Sequence, residues 1–185
     1  QQQLVELGYD PVGHSTTAEQ AIVLAGELRP DLVLMDIKLA GAMDGIAAAH
    51  AIREQFALPV VFLTAFAENE TLSQAKRSEP FGYVLKPFSE RELHTVIQMA
   101  LYRHSVETRL RDSEAQFRAL FDTSLDGILL ASPDGRVFSA NRAACAILGR
   151  SEAELCLIGR AGIIAPEDAR LAGHLEARRR AGSTS

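Results

Sequence analysis

An α/β fold built on a doubly wound parallel sheet, followed through a long helix by a second, incomplete α+β module, is the class this sequence predicts. Three observations lead there. Short apolar runs alternate with helical patterns over roughly the first hundred residues, the mark of strands covered by helices on both faces. Three of those runs end in a polar residue, at Asp36, Thr64 and Lys86. After Thr123 the pattern changes to neighbouring strands joined by a tight turn.

Each element has its own signal. Residues 11–13 (PVG) read as a short strand, and residues 17–28 as a helix, with Ala18, Ala21, Ile22, Ala25 and Leu28 on one face. Residues 31–35 (DLVLM) form a continuous apolar strand ended by Asp36. Residues 44–55 read as a helix, 59–63 (PVVFL) as a buried strand, 68–76 as a helix and 82–85 as a further strand. Ser89 followed by Glu92 is a capping box that opens the next helix. From Glu90 to about Leu120 neither Gly nor Pro interrupts, so this helix extends ~45 Å as a connector. Along it Val106, Leu110, Ser113, Phe117 and Leu120 recur at steps of four and three, a heptad seam suited to a second copy or to the helix's own domain.

The second module begins with strands at residues 127–131 and 137–141, joined through Ser132-Pro133-Asp134-Gly135, which supplies turn geometry. Residues 143–148 read as a helix, Ser151 with Glu154 opens another through a capping box, and a last helix follows Pro166.

Composition excludes several classes. The 185 residues are 47% hydrophobic and 23% charged with a net charge of -5, which is globular rather than disordered or disulfide-built. The longest apolar stretch, residues 57–66, is ten residues against the ~20 a membrane helix needs, and the N-terminus lacks a signal peptide's basic and apolar regions. Cys145 and Cys156 match no zinc or redox spacing and read as buried thiols in a reducing cytoplasm. Through His104 there are 13 acidic and 8 basic residues, and beyond it 11 of each, so neither part carries a nucleic-acid footprint. The run Arg178-Arg179-Arg180 reads as a solvated helix end.

In an open parallel sheet the C-terminal ends of the strands converge on the ligand crevice, so Asp36, Thr64 and Lys86 are candidates for one site. A carboxylate there can serve as nucleophile or metal ligand, a hydroxyl can donate to a phosphoryl oxygen, and an ammonium can neutralise anionic charge. Lys86 is one of three lysines among 19 basic residues, and Pro87 after it raises the chance of a cis bond.

These motifs, RPDLVLMDIKL around Asp36, PVVFLTAF around Thr64 and GYVLKPF around Lys86, resemble the receiver domain of two-component response regulators. The resemblance implies a flavodoxin-like sheet and phosphotransfer from the phosphohistidine of a histidine kinase or phosphotransfer protein to Asp36, assisted by Mg2+. It assigns Asp36 as phosphoacceptor and metal ligand, the backbone carbonyl of Lys38 as a second ligand, and Lys86 as the phosphoryl group's partner. Thr64 would turn to hydrogen-bond the phosphoryl oxygen, and Tyr83, beside the Lys86-Pro87 pair, would swing inward.

The family's first strand and its magnesium-binding acidic pair have no counterpart here, where residues 1–10 look like the latter half of the first helix. The expected strand order 2-1-3-4-5 then leaves a gap between the strand near Val12 and that at Leu32. The expectation is a piece of a longer chain that binds Mg2+ poorly through Asp36 alone, and that as written is neither stable nor phosphorylated.

Residues from Asp112 onward, SEAQFRALFDTSLDGILLASPDGRVFSANRAACAILGRSEAEL and the Pro166-Glu167-Asp168 turn, resemble the start of a PAS sensor domain. Its ligand stays unassigned: Cys156 lacks a flavin-photoreceptor motif, and His174, like His14, His50, His94 and His104, reads as a surface histidine.

The predicted organisation is a receiver over residues 1–104, a helical linker over 105–116 and a PAS domain over 117–185. The predicted role is phosphorelay signalling within a larger regulator or hybrid sensor histidine kinase, with homodimerisation through the last receiver helix and linker, and no catalytic domain in this chain. The alternatives are a DNA-binding regulator with its effector beyond Ser185, and a flavodoxin-like nucleotide-binding enzyme, which lacks the Gly-rich loop it would need.

Overall fold

The computed structural model describes residues 2–65 and 80–163, and the chain divides into two compact units, one running to Arg111 and one starting at Asp112. The helix expected over 68–76, the Pro166-Glu167-Asp168 turn, His174 and the run Arg178-Arg179-Arg180 lie outside the described residues.

In the first unit the order is α1 (Gln2–Glu6), α2 (Ala18–Leu28), β1 (Val33–Asp36), α3 (Gly45–Phe56), β2 (Val60–Ala65), β3 (Gly82–Lys86) and α4 (Glu90–Thr123), which continues into the second unit. The three strands form one parallel sheet in the order β1-β2-β3, with Val33 opposite Val60 and Val61 opposite Gly82. Side chains alternate across a strand, so each strand feeds two cores. Met35, Val60 and Phe62 pack with Ala18, Ala25, Ala48, Ala49 and Ile52 of α2 and α3, while Val61 and Val84 pack with Leu93, Ile97 and Ala100 of α4 on the opposite face. A fully buried side chain such as Phe62 or Ile52 contributes roughly 1.5–3 kcal/mol.

Local chemistry sets the helix ends. Thr17 accepts from the Gln20 N–H at the start of α2, and Asp44 from the Ala47 N–H at 2.8 Å at the start of α3. Ser89 and Glu92 form the predicted capping box, with the Ser89 N–H donating to Glu92 at 2.8 Å and the Glu92 N–H to Ser89 at 3.2 Å. These contacts hold the Glu92 carboxyl below the usual carboxylate range, the Ser89 N–H being the larger cause.

Residues 11–13 are not a strand. Val12 is 52% exposed, Pro11 has no N–H to give to a ladder, and no described strand runs beside this segment. A single parallel bridge, Thr17 to Ala40, joins the region to the loop after β1 instead. Nor is the sheet interrupted between described strands: β1 is its edge.

In the second unit β4 (Leu129–Ala131) and β5 (Val137–Ala140) pair antiparallel, followed by α5 (Arg142–Leu148) and α6 (Glu152–Ile163). Gly135 turns the hairpin at φ 96°, with its N–H donating to the Ser132 carbonyl at 3.0 Å. The polar Asn141 is fully buried at the end of β5. Its carbonyl oxygen accepts from the N–H groups of Ile128 and Ala144, both at 2.8 Å, and its amide donates to the carbonyls of Phe121 and Asp126, both at 2.9 Å. One side chain thereby ties the end of α4, the following loop, β5 and α5. The cysteines are free and half-buried rather than buried, and Cys145 sits at the margin of a small core around Ala140, Ala144 and Leu155. No helix among the described residues is long and apolar enough to cross a membrane.

Candidate functional site

Strand ends build the site. Asp36 is the last residue of β1 and Lys86 the last of β3, and β2 lies between them. The lysine ammonium crosses that gap: Lys86 Nζ is 2.5 Å from Asp36 Oδ2. The other carboxylate oxygen, Oδ1, accepts the Lys38 N–H at 3.1 Å, which fixes the carboxylate against the turn after β1. Both side chains remain open to solvent, at 37% for Asp36 and 41% for Lys86, so the pair is reachable by an incoming group.

Thr64 is not joined to that pair. Its neighbours on β2 show why: Thr64 shares a face with Phe62 and Val60, while Asp36 continues the face of Leu34 and Lys86 that of Val84. The buried Thr64 hydroxyl donates to the Ala65 carbonyl at 3.2 Å. Tyr83 lies on the face of Thr64, opposite Phe62 in the ladder, with the two rings stacked at 6.1 Å between centroids. Its buried hydroxyl has no hydrogen-bond partner among the described residues, and burial pushes its pKa above the ordinary tyrosine value. The Lys86-Pro87 bond is cis.

Sequence reasoning missed Gly45. A Cβ built there would stand 1.9 Å from the Asp36 carbonyl oxygen, and the Gly45 N–H donates to the Ile37 carbonyl at 3.0 Å. Only glycine lets the start of α3 close on the strand end that carries Asp36. The signal was a glycine, a poor helix former, placed directly after a capping aspartate.

Three of the described histidines have partners away from this site. His94 Nδ1 lies 3.0 Å from the Tyr9 hydroxyl, His50 lies 3.4 Å from Glu54, and His104 meets the Phe81 ring edge-on.

Of the Mg2+ ligands expected from the sequence, the Asp36 carboxylate stands at the site, and both of its oxygens already accept hydrogen bonds. Among the described residues no group of three or more His, Cys, Asp and Glu side chains could hold a metal. These residues alone do not supply the octahedral oxygen set magnesium requires.

In the second unit, an open groove of about 640 Å³ is lined by Ser113, Phe117, Arg118 and Phe121 of α4 and by Ser139 and Glu152. Glu152 accepts from Ser139 Oγ at 2.6 Å and from the Ala140 N–H at 3.2 Å, contacts that hold its carboxyl below the usual range.

Comparison with known proteins matches both units. A family model described as response regulator receiver domain covers residues 1–98, and one described as PAS domain covers residues 115–181. The transcriptional regulatory protein PdtaR of Mycobacterium tuberculosis is 35% identical over 120 residues, which are 65% of this chain and 58% of PdtaR. The regulatory protein AtoC of Escherichia coli is 41% identical over 92 residues, 49% of this chain and 20% of AtoC. The matched part is thus well under two thirds of either relative's length. Among solved structures, the signal receiver domain of a modulated diguanylate cyclase from Desulfovibrio desulfuricans G20 superposes with a TM-score of 0.54 at 42% identity, covering 57% of this chain and 83% of that one. The N-terminal domain of a response regulator/sensory box/GGDEF 3-domain protein from Carboxydothermus hydrogenoformans gives 0.52 at 38% identity, covering 58% and 86%.

Proposed function

The chain belongs to the response regulator receiver family and carries a PAS domain after the receiver, and on that premise we propose that it signals by phosphorylation of Asp36. The observation that carries this reading is the Asp36–Lys86 pair at the C-terminal ends of β1 and β3. A carboxylate oxygen of Asp36 attacks the phosphorus of a phosphohistidine on a histidine kinase or phosphotransfer protein. The P–O bond forms, the N–P bond breaks, and the donor's imidazole takes up a proton. Lys86, already at the carboxylate, balances the ~1.5 to 2 negative charges the phosphoryl group adds.

Thr64 and Tyr83 are the switch in this reading. The Thr64 hydroxyl donates to its neighbour's carbonyl and is the donor that would turn toward a phosphoryl oxygen. Tyr83, on the same face and with no partner for its hydroxyl among the described residues, is the side chain that repacks when Thr64 moves. Pro87 sets the backbone just beyond Lys86.

In the proposed organisation residues 1–104 are the receiver, 105–116 a helical linker and 117–185 the PAS module, all on a cytoplasmic regulator or hybrid kinase. A second copy pairs along the linker helix. The Carboxydothermus protein has the same order of response regulator and sensory box, which supports reading the receiver as the input to the PAS module. The PAS ligand stays unassigned.

Incubation with a radiolabelled phosphorylated histidine kinase, followed by mapping of the label, tests the proposal. Weak label on the unaltered protein, more than the none expected from its missing acidic pair but limited by the poor Mg2+ site, and no label on Asp36→Asn is the result that supports the proposal. Label that survives in Asp36→Asn, at full level, would sink it.

A further inference from the structure

Thr17 serves two elements at once. Its backbone is extended, at φ -121° and ψ 153°, while its side chain turns back to accept the Gln20 N–H and cap α2. An extended backbone suits a β-branched side chain, and here it forms the parallel bridge to Ala40 in the loop after β1. Neighbouring contacts hold Thr17 in place. Ser15 Oγ accepts the Thr17 N–H at 3.2 Å and donates to the Thr17 carbonyl at 2.8 Å, and the same carbonyl accepts the Ala21 N–H at 3.1 Å. The next residue, Ala18, is fully buried in the core that α2 shares with α3.

The loop that Thr17 meets, residues 37–44, carries the group that orients Asp36. Its near end is fixed by the buried Ile37, whose N–H donates to the Leu63 carbonyl at 3.4 Å and whose carbonyl accepts the Gly45 N–H at 3.0 Å. Lys38 then donates its N–H to Asp36 Oδ1 at 3.1 Å, which turns that oxygen toward the loop and leaves Oδ2 to Lys86. Ala40 follows, bridged to Thr17, and Gly41 turns the chain directly after it at φ 121°. The Glu19 carboxylate of α2 lies 3.7 Å from where a Gly41 Cβ would stand, so the first turn of α2 flanks the loop at consecutive residues. A loop bonded to the carboxylate at Lys38 and braced at Ala40 passes any shift of that turn to the Oδ1 contact.

We infer that Thr17 is a positioning residue for phosphoryl acceptance. By joining the first turn of α2 to Ala40 it keeps the Lys38 N–H on Asp36 Oδ1, and so aims the carboxylate at the incoming phosphorus. The inference rests on the phosphorylation of Asp36 proposed above. Misplacing a reacting group by about 1 Å can cost on the order of 100-fold in rate, so a partial loosening is worth less.

Two measurements on the full chain test it: the rate of label transfer from a radiolabelled phosphorylated histidine kinase, and hydrogen exchange at the Lys38 amide followed by NMR. Thr17→Ala removes the cap and slows transfer about tenfold relative to the unaltered protein, and the Lys38 amide exchanges roughly tenfold faster. Thr17→Ser keeps a capping hydroxyl and restores both readings to within about twofold. Val23→Gly weakens α2 at an exposed position away from the bridge and leaves both unchanged. Unaltered exchange at Lys38 in Thr17→Ala overturns the inference, as does faster exchange with full transfer. Equal losses in Val23→Gly overturn it too, because general weakening of α2 is then the cause. Label that is absent from the unaltered protein, or that survives in Asp36→Asn, overturns the phosphorylation reading and this inference with it.

Discussion

The two units place their decisive polar groups in opposite surroundings. In the receiver, Asp36 and Lys86 meet at the rim of the sheet, more than a third exposed, with water ready to replace either partner. In the PAS unit, Asn141 is fully buried and spends its whole side-chain hydrogen-bonding capacity on four backbone groups. The rim pair is cheap to break and chemically available. The buried amide is costly to break and chemically silent. A group meant to react must stay accessible, and an accessible ion pair contributes little to folding.

Asn141→Ala should give the largest effect. It strips partners from two buried N–H groups and two carbonyls, at a cost of about 4 kcal/mol. The PAS unit's unfolding transition should fall in urea while the receiver's does not move. A shift below 1 kcal/mol would mean water replaces the amide and the contrast between the units is overdrawn.

Gly45→Ala comes next and strikes the receiver where its site meets its core. The added methyl collides with the Asp36 carbonyl, so α3 or the end of β1 must move, at about 3 kcal/mol. Chemical shifts around Asp36 and Lys86 should change with stability. Unchanged shifts would separate the glycine from the site.

A smaller effect is expected from acid. Hydrogen bonds from Ser139 and the Ala140 N–H hold the folded Glu152 pKa below its ordinary value of 4.5. A depressed folded pKa means the unfolded chain binds protons first as pH falls. This contribution is therefore complete above about pH 4.5 and is lost as pH drops through the folded value. For so exposed a group it is at most about 1 kcal/mol. Glu152→Gln should flatten the PAS unit's acid unfolding profile without abolishing its slope, since Asp134 and Glu154 are depressed in the same direction. An identical slope in the variant would remove Glu152 from the account.

Asp36→Asn should change stability least, by less than about 0.5 kcal/mol, because the ion pair it weakens is exposed. Phosphoryl acceptance should nevertheless vanish. A large loss of stability with this substitution would erase the distinction between rim and core.

How much was legible depends on the range of the signal. Apolar runs and capping boxes are local, so β1, β2, β3 and both capped helices stand within a residue or two of their expected positions. Residues 11–13 failed because a strand exists only with a partner, and PVG carries no information about what lies beside it. Cysteine composition likewise could not say that α5 and α6 leave both thiols half-buried. Gly45 went unnoticed and Asn141 reads as a strand end, since their close contacts come from residues distant in the chain or across a turn.

By itself the sequence determined the α/β alternation, the hairpin module after it, and which polar residues end which strands, because hydrophobic period and turn chemistry are properties of neighbouring residues. Tertiary structure alone decided that Lys86 reaches Asp36 while Thr64 turns to the other face with Tyr83. Facing follows from strand register, and register is settled only when strands pair and each must bury one side.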